Sequence, residues 1–292
     1  MKKSNLTLTT ILLALGFVLA SSRVQAADDA REQNKFTRID VPESVFTVAN
    51  GINPRGDIVG AYVDSSGRLH GFLLSKGKFT TIDPPGANLT VALHINPEGV
   101  ITGLYRTSNG NIHGFLLSDG DFLTIQKPGT TFTVLDGINP RGEITGEYRD
   151  ASDNVHSFLL SNGAFTPIAK PGAALTDVEG INARGDIVGF YIDTSGNFHG
   201  LLLSDGRFTT IDVPGAAQTF GCFGINPRGD IVGSTIDISG NDHGFLLSDG
   251  RFTTVDFPGA VATDLNDINP SGDIVGQYAD SSGNEHGFLL SK

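Results

Sequence analysis

Seven histidines and a scatter of carboxylates are the residues of this chain whose types suit metal binding or proton transfer. Six of the histidines begin copies of one hexapeptide, His-Gly-Phe-Leu-Leu-Ser or a close variant, at His70, His113, His156, His199, His243 and His286. The steps between them are 43, 43, 43, 44 and 43 residues. The seventh, His94, lies outside that position and is the candidate acid or base. A second set of positions carries chemistry because the copies disagree there. Two residues before the Ile of a recurring Ile-Asn, the six copies read Asn50, Leu93, Asp136, Glu179, Phe223 and Asn266, with Asp177, Asp264 and Asp267 close by. Asp136, Asp177, Glu179, Asp264 and Asp267 are oxygen donors of the kind that hold a hard cation such as Ca²⁺; the alternative is a set of solvated charges. Asn50, Phe220, Phe223 and Asn266 are the candidate ligand contacts, the phenylalanines lying in the one unit with an extra residue. The chain has no Gly-x-Ser-x-Gly, no His-Glu-x-x-His, no phosphate-binding glycine loop and no paired cysteines.

What must position these residues is the repeat. In the second unit Thr90 to Asn96, Val100 to Thr107, Ile112 to Ser118 and Phe122 to Gln126 read as four short strands, A to D. The A to B turn, Asn53-Pro54-Arg55-Gly56 in the first unit, has the residues a type I turn wants. The C to D turn is Asp119-Gly120, Asp205-Gly206 or Asp249-Gly250, with Asn162-Gly163 and Lys76-Gly77 as variants, a strong hairpin signal. The B to C turn runs Asp64 to Gly67 and Asp280 to Gly283. Each unit is therefore an antiparallel meander. Strand C is apolar on both faces (Phe72 and Leu74 against Leu73), so its sheet needs cover on both sides. The spacing predicts an all-β, six-bladed β-propeller of four-stranded antiparallel blades, with strand A lining the channel.

The repeat begins with a D strand, Phe36 to Asp40, and stops after a C strand at Ser291. A closed ring uses that cut: the N-terminal strand completes the last blade by pairing beside His286 to Ser291. In this geometry the repeated histidines lie two strand spacings, each about 4.8 Å, outward from strand A. They cannot converge on one ion, and the expectation is a hydrogen bond inside each blade to Asp64, Asp150, Asp193, Asp237 or Asp280. The five tyrosines (Tyr62, Tyr105, Tyr148, Tyr191, Tyr278) share one B position, and Tyr62 is expected to cover Gly71 across the hairpin.

The motif His-Gly-Phe following Ile-Asn-Pro-Arg-Gly-Asp-Ile-Val-Gly resembles the extracellular repeat family named for His-Ala-Phe, over essentially residues 36–292. Here Gly71, Gly114, Gly200, Gly244 and Gly287 stand where that family has Ala, Leu201 follows Gly200, and the third unit has Ser157. The resemblance implies no shared activity.

Lys2 and Lys3, the apolar run Ile11 to Ala20 and Val24-Gln25-Ala26 read as a signal peptide over residues 1–26, too short to span a bilayer. Residues 27–35 read as a disordered lead-in to a single domain. Loss of Lys2, Lys3 and Arg23 takes the formal net charge from −12 to −15, which disfavours nucleic acid and anionic membranes as partners. Cys222 is alone and reads as a small buried hydrophobe. The expectation is a secreted or periplasmic monomer, a non-catalytic binding or scaffold propeller for a small molecule, glycan or protein. The alternative is a Ca²⁺-dependent, lactonase-like hydrolase or lyase with its site at the channel mouth.

Overall fold

The computed structural model of the chain describes residues 35–292; the expected signal peptide and residues 27–34 of the expected lead-in lie outside them. The described residues form six four-stranded antiparallel sheets and no helix, so none is long and apolar enough to cross a membrane. Blade one is β2 (Phe46–Ile52), β3 (Ile58–Val63), β4 (Leu69–Ser75) and β5 (Lys78–Ile82). Blade two is β6 (Ala87–Ile95), β7 (Ile101–Thr107), β8 (Ile112–Ser118) and β9 (Asp121–Ile125). Blade three is β10 (Thr133–Ile138), β11 (Ile144–Arg149), β12 (Val155–Ser161) and β13 (Ala164–Ile168). Blade four is β14 (Leu175–Ile181), β15 (Ile187–Ile192), β16 (Phe198–Ser204) and β17 (Arg207–Ile211). Blade five is β18 (Gln218–Ile225), β19 (Ile231–Ile236), β20 (Asp242–Ser248) and β21 (Arg251–Val255). Blade six takes β22 (Ala262–Ile268), β23 (Ile274–Ala279) and β24 (Glu285–Leu290), and its fourth strand is β1 (Phe36–Ile39). Phe36 faces Leu290 and Ile39 faces Gly287, the expected closure. Lys35, placed in the lead-in by sequence, belongs to the seam: its carbonyl accepts from the Ser291 amide at 3.0 Å.

Turn chemistry accounts for the repetition. Lys76, Asp119, Asn162, Asp205 and Asp249 have φ near +50° and each is followed by a glycine of positive φ, the backbone of a two-residue hairpin that matches strand twist. In the A to B turn Asn53 Oδ1 accepts from the Arg55 and Asp57 amides at 2.9 and 3.0 Å. That same asparagine position links blades. The Nδ2 of Asn96, Asn139, Asn182 and Asn226 each donates to the backbone carbonyl of the next blade's asparagine at 3.2–3.5 Å, and Asn269 donates to Asn53 across the seam at 3.4 Å. Outside this belt Arg141 and Arg228 donate to the next blade's Ala183 and Pro270 carbonyls, and Arg55 and Arg184 to those of Pro97 and Pro227.

The core is a set of interblade layers. Phe72, Phe115, Phe158, Phe245 and Phe288, with Leu201 in blade four, are fully buried at one position of the third strand. The next blade's inner strand packs beside them: a Cβ on Gly114 would lie 2.6 Å from Leu135 Cγ, and one on Gly200 would lie 2.7 Å from Cys222 Sγ. Gly114, Gly200 and Gly244 of the hexapeptide therefore make room for the neighbour's side chain. Cys222 is fully buried in that contact, and burial pushes its thiol up to about 12. The expected tyrosine register is one residue off. Tyr62 faces His70, not Gly71, and their rings stack at 5.2 Å; Gly60 is the glycine covered by an aromatic ring, that of Phe72 opposite it.

Candidate functional site

Each inner strand carries a β-bulge, and the residue it leaves unpaired is the one at which the copies diverge. In β2 Ala49 pairs with Gly60 and Gly51 with Val59, so Asn50 is the extra residue. Leu93, Phe223 and Asn266 occupy the same place in β6, β18 and β22, and Asp136 and Glu179 fall in the equivalent irregularities of β10 and β14. A bulge re-aims a side chain out of the alternation of the sheet. Here all six turn into one pocket of about 90 Å³ in the central channel. The extra residue of the fifth unit is a second bulge in β18: Thr219 pairs with Thr235 and Gly221 with Ser234, leaving Phe220 to reach the same pocket.

The pocket gathers Asn50, His94, Asp136, Asp177, Glu179, Phe220, Phe223, Asp264 and Asn266 of the sequence candidates. Asp267 is close by but turned aside. Its Oδ2 accepts from the Ile52 amide at 2.9 Å and lies 3.3 Å from His94 Nε2. In the ring, Asp267 of blade six and His94 of blade two flank Gly51 of blade one, where a Cβ would sit 2.9 Å from the His94 Cα. His94 and Asp267 occupy the position that is glycine in the other four blades (Gly51, Gly137, Gly180, Gly224), and the pair bridges over one of them. The His94 Nδ1 is buried without a hydrogen-bond partner. Cys222, grouped by sequence with the two phenylalanines, points into the interblade layer instead.

Charge is unevenly distributed around the channel. Blades one to three present Val48, Val91 and Val134, packed with Ala61 and Leu104. Blades three, four and six present the carboxylates. Burial, then Glu179, Glu147 and Asp177, hold Asp136 well above the usual carboxylate range. Burial followed by Asp177 and Glu179 does the same to Glu147, opposed by Arg149. Burial raises Asp177 to about 7 against the hydrogen bond from Ser157, and raises Glu179 to about 8 with help from Asp177. Asp264 is raised by burial, although Gln277 Nε2 donates to it at 3.0 Å. Among the described residues no three His, Cys, Asp or Glu side chains converge to hold a metal ion. Above the pocket, where the inner strands begin, a wider cavity of about 840 Å³ is lined by Phe46, Leu89, Ile112 and Phe132 together with Arg106 and Arg149.

Three contributors escaped the sequence reading: Glu147, Phe190 and Gln277, on the second strands. Glu147 faces Val134, Phe190 faces Asp177 and Gln277 faces Asp264. The signal was the position before the B-strand tyrosine, which reads Ala61, Leu104, Glu147, Phe190, Ser234 and Gln277 through the copies. The repeated histidines stay within their blades. Asp64, Asp150, Asp193, Asp237 and Asp280 accept from Nε2 of their histidines at 2.8–3.5 Å as expected. A second carboxylate, after the fourth strand, meets Nδ1 in four blades: Asp83, Asp212, Asp256 and, for His286, Asp40 from the N-terminal strand. The recurring Ile-Asp at the end of strand D was its trace. His113 has Gln126 there instead, at 2.6 Å.

No family model matches the chain, and no curated protein matches it in sequence. Solved structures match in fold. AofleA from Arthrobotrys oligospora aligns at TM-score 0.55 and 13% identity, over 85% of this chain and 84% of its own. The fungal lectin of Aleuria aurantia, a six-bladed β-propeller that recognises fucose, aligns at TM-score 0.50 and 12% identity, over 84% of this chain and 93% of its own. A TolB candidate from Agrobacterium tumefaciens aligns at TM-score 0.57 and 15% identity, over 86% and 91%. At such identities the likeness concerns the fold, a six-bladed β-propeller, and leaves the ligand to be argued from the channel.

Proposed function

We propose that the chain is an exported, non-catalytic binding propeller that takes a small ligand in its central channel, built on a repeat of the extracellular His-Ala-Phe type. One observation carries this reading: the copies agree at the positions that build turns, belt and interblade layers, and they disagree at the bulge residues that meet in one pocket. A scaffold with no ligand has no use for five kinds of side chain at six equivalent places on one axis. Lectins among the structural neighbours, one of them named for fucose recognition, support a glycan or other small molecule as the ligand class, and their fungal lectin setting is compatible with export. The test is a thermal-shift screen of glycans, lactones and other small molecules against the protein and its Phe223→Ala and Asn266→Ala variants. A channel ligand raises the Tm of the parent and loses most of that shift in the variants. Shifts that survive both substitutions would move binding out of the channel and overturn the reading.

The second reading is a Ca²⁺-dependent hydrolase or lyase, and the His94–Asp267 pair favours it, because an imidazole held by a carboxylate with its other nitrogen unpaired is the arrangement of a proton carrier. Calorimetry with Ca²⁺ decides it. Saturable heat with a rise in Tm supports a metal-dependent site, and neither effect removes it.

A further inference from the structure

We propose that the channel pocket takes a compact organic amine, its protonated nitrogen held by the acidic wall and its apolar stem laid against the phenylalanines; this rests on the channel being the binding site. The acidic wall is Asp136, Asp177 and Glu179 with Glu147 behind it, and the aromatic wall is Phe190, Phe220 and Phe223. Phe220 is held in place by stacking on Phe198, with centroids 4.9 Å apart and planes 12° apart.

Two acceptors in this region lack donors. Gln277 lines the pocket, is 4% exposed, and has its Oε1 buried and unbonded while its Nε2 is taken by Asp264. Glu147 is 5% exposed and its Oε2 is likewise buried and unbonded. A buried acceptor left unsatisfied costs about 1–3 kcal/mol, so the Gln277 carbonyl oxygen is a place for a donor that a ligand brings. No Lys or Arg is among the residues that line the pocket. Arg149 acts on Glu147 and Asp177, but it also pairs with Asp153 at 3.3 Å and lies over the Phe132 ring.

Carboxylates surrounding a small space suggest a metal first, and the geometry argues against that occupant. The carboxylates do not converge as a coordination sphere does, so a bare ion would satisfy too few of them. A protonated amine brings its own three donors, reaches acceptors spaced around it, and is drawn to the face of an aromatic ring. A neutral polyol supplies donors but no charge. An organic anion finds no Lys or Arg in the lining to receive it. The volume of about 90 Å³ limits the buried part to a short stem.

The experiment is titration calorimetry of the purified protein with propylammonium chloride, with CaCl₂ and fucose as comparators. The expected result is saturable binding of propylammonium, weakened at least tenfold by Glu179→Gln and by Asp136→Asn, and weakened by Phe223→Ala through loss of stem contact. Melting curves of each variant report whether it is folded, and the conservative Glu179→Gln keeps the test available if another variant is not. Heat with Ca²⁺ and none with propylammonium overturns the amine and favours the metal-dependent reading. Heat with fucose alone, lost in Phe223→Ala, overturns the amine and leaves the binding propeller standing. Propylammonium binding that survives all three substitutions also overturns it.

Discussion

Glu179 concentrates the electrostatics of the channel in one side chain. Its folded carboxyl titrates at about 8, against an ordinary value of 4.5. An acid raised on folding favours the folded state below its unfolded value and loses that contribution as pH rises through the folded one. Stability should therefore fall between about pH 5 and pH 8, with Asp177, at about 7, acting in the same direction. His243 is also raised and adds to this fall, so the informative quantity is the difference between parent and variant. Glu179→Gln should flatten the decline and make the protein more stable at pH 8 by about 2 kcal/mol, since each tenfold change in proton affinity is worth about 1.4 kcal/mol and neighbouring carboxylates share the relief. Melting curves from pH 5 to 9 check this; parallel curves for parent and variant would contradict it. Glu179 was legible in the sequence as a departure from its copies. Glu147 was not, because an interior strand position with one Glu among Ala, Leu, Phe, Ser and Gln reads as ordinary variation until cross-strand register shows what it faces.

At the scale of the element, the inner strand and the hexapeptide strand behind it form the unit that evolution of the repeat has to keep in step. Gly114 makes room for Leu135 of the next blade, whereas a Cβ added to Gly71 would meet the Ile82 carbonyl oxygen at 3.1 Å, Ile82 Cβ at 3.2 Å and the Ala92 backbone nitrogen at 3.3 Å, none of them under 3.0 Å. Gly114→Ala should cost about 1–3 kcal/mol as an overpacked interior and Gly71→Ala less than about 1 kcal/mol. Chemical denaturation of the two variants distinguishes them, and equal losses would show that the neighbour's side chain is not what selects glycine. The strands and turns themselves were readable, because Asp-Gly, Asn-Pro-Arg-Gly and alternation are local signals. The bulges were not. Asn50 looks like any residue in a run of strand, and only the pairing of Ala49 with Gly60 and Gly51 with Val59 reveals it as the one left over. The tyrosine register failed for the same reason: the turn after Asp64 fixes pairing to a residue, and its composition alone left that count open by one.

For the molecule as a whole, neighbouring blades are joined by recurring links, the asparagine one at five of the six joints and the arginine one at four, and one joint is made between distant parts of the chain. Its strand β1 contributes Phe36 and Ile39 to the packing of blade six and blade one, and Asp40 to the clamp on His286. Removing residues 36–41 should cost roughly 4 kcal/mol, from about 2 kcal/mol for each buried apolar side chain. For a domain of this size that corresponds to a Tm lower by roughly 10 °C, which calorimetry reads directly. An unchanged transition would mean that the seam is dispensable. Ring closure was legible because the repeat is cut out of phase at both ends, a property of the whole sequence that no single unit carries.

That seam also fixes an order of events in the making of the protein. The first described strand to be synthesised has its partner 246 positions later, counted from Asp40 to His286, so it stays unpaired until the last blade has been made. A chain cut short anywhere before the last hexapeptide leaves two raw apolar edges, one on either side of the gap. Such open margins invite pairing with other chains, and only a chain that carries both β1 and β24 conceals the two at once.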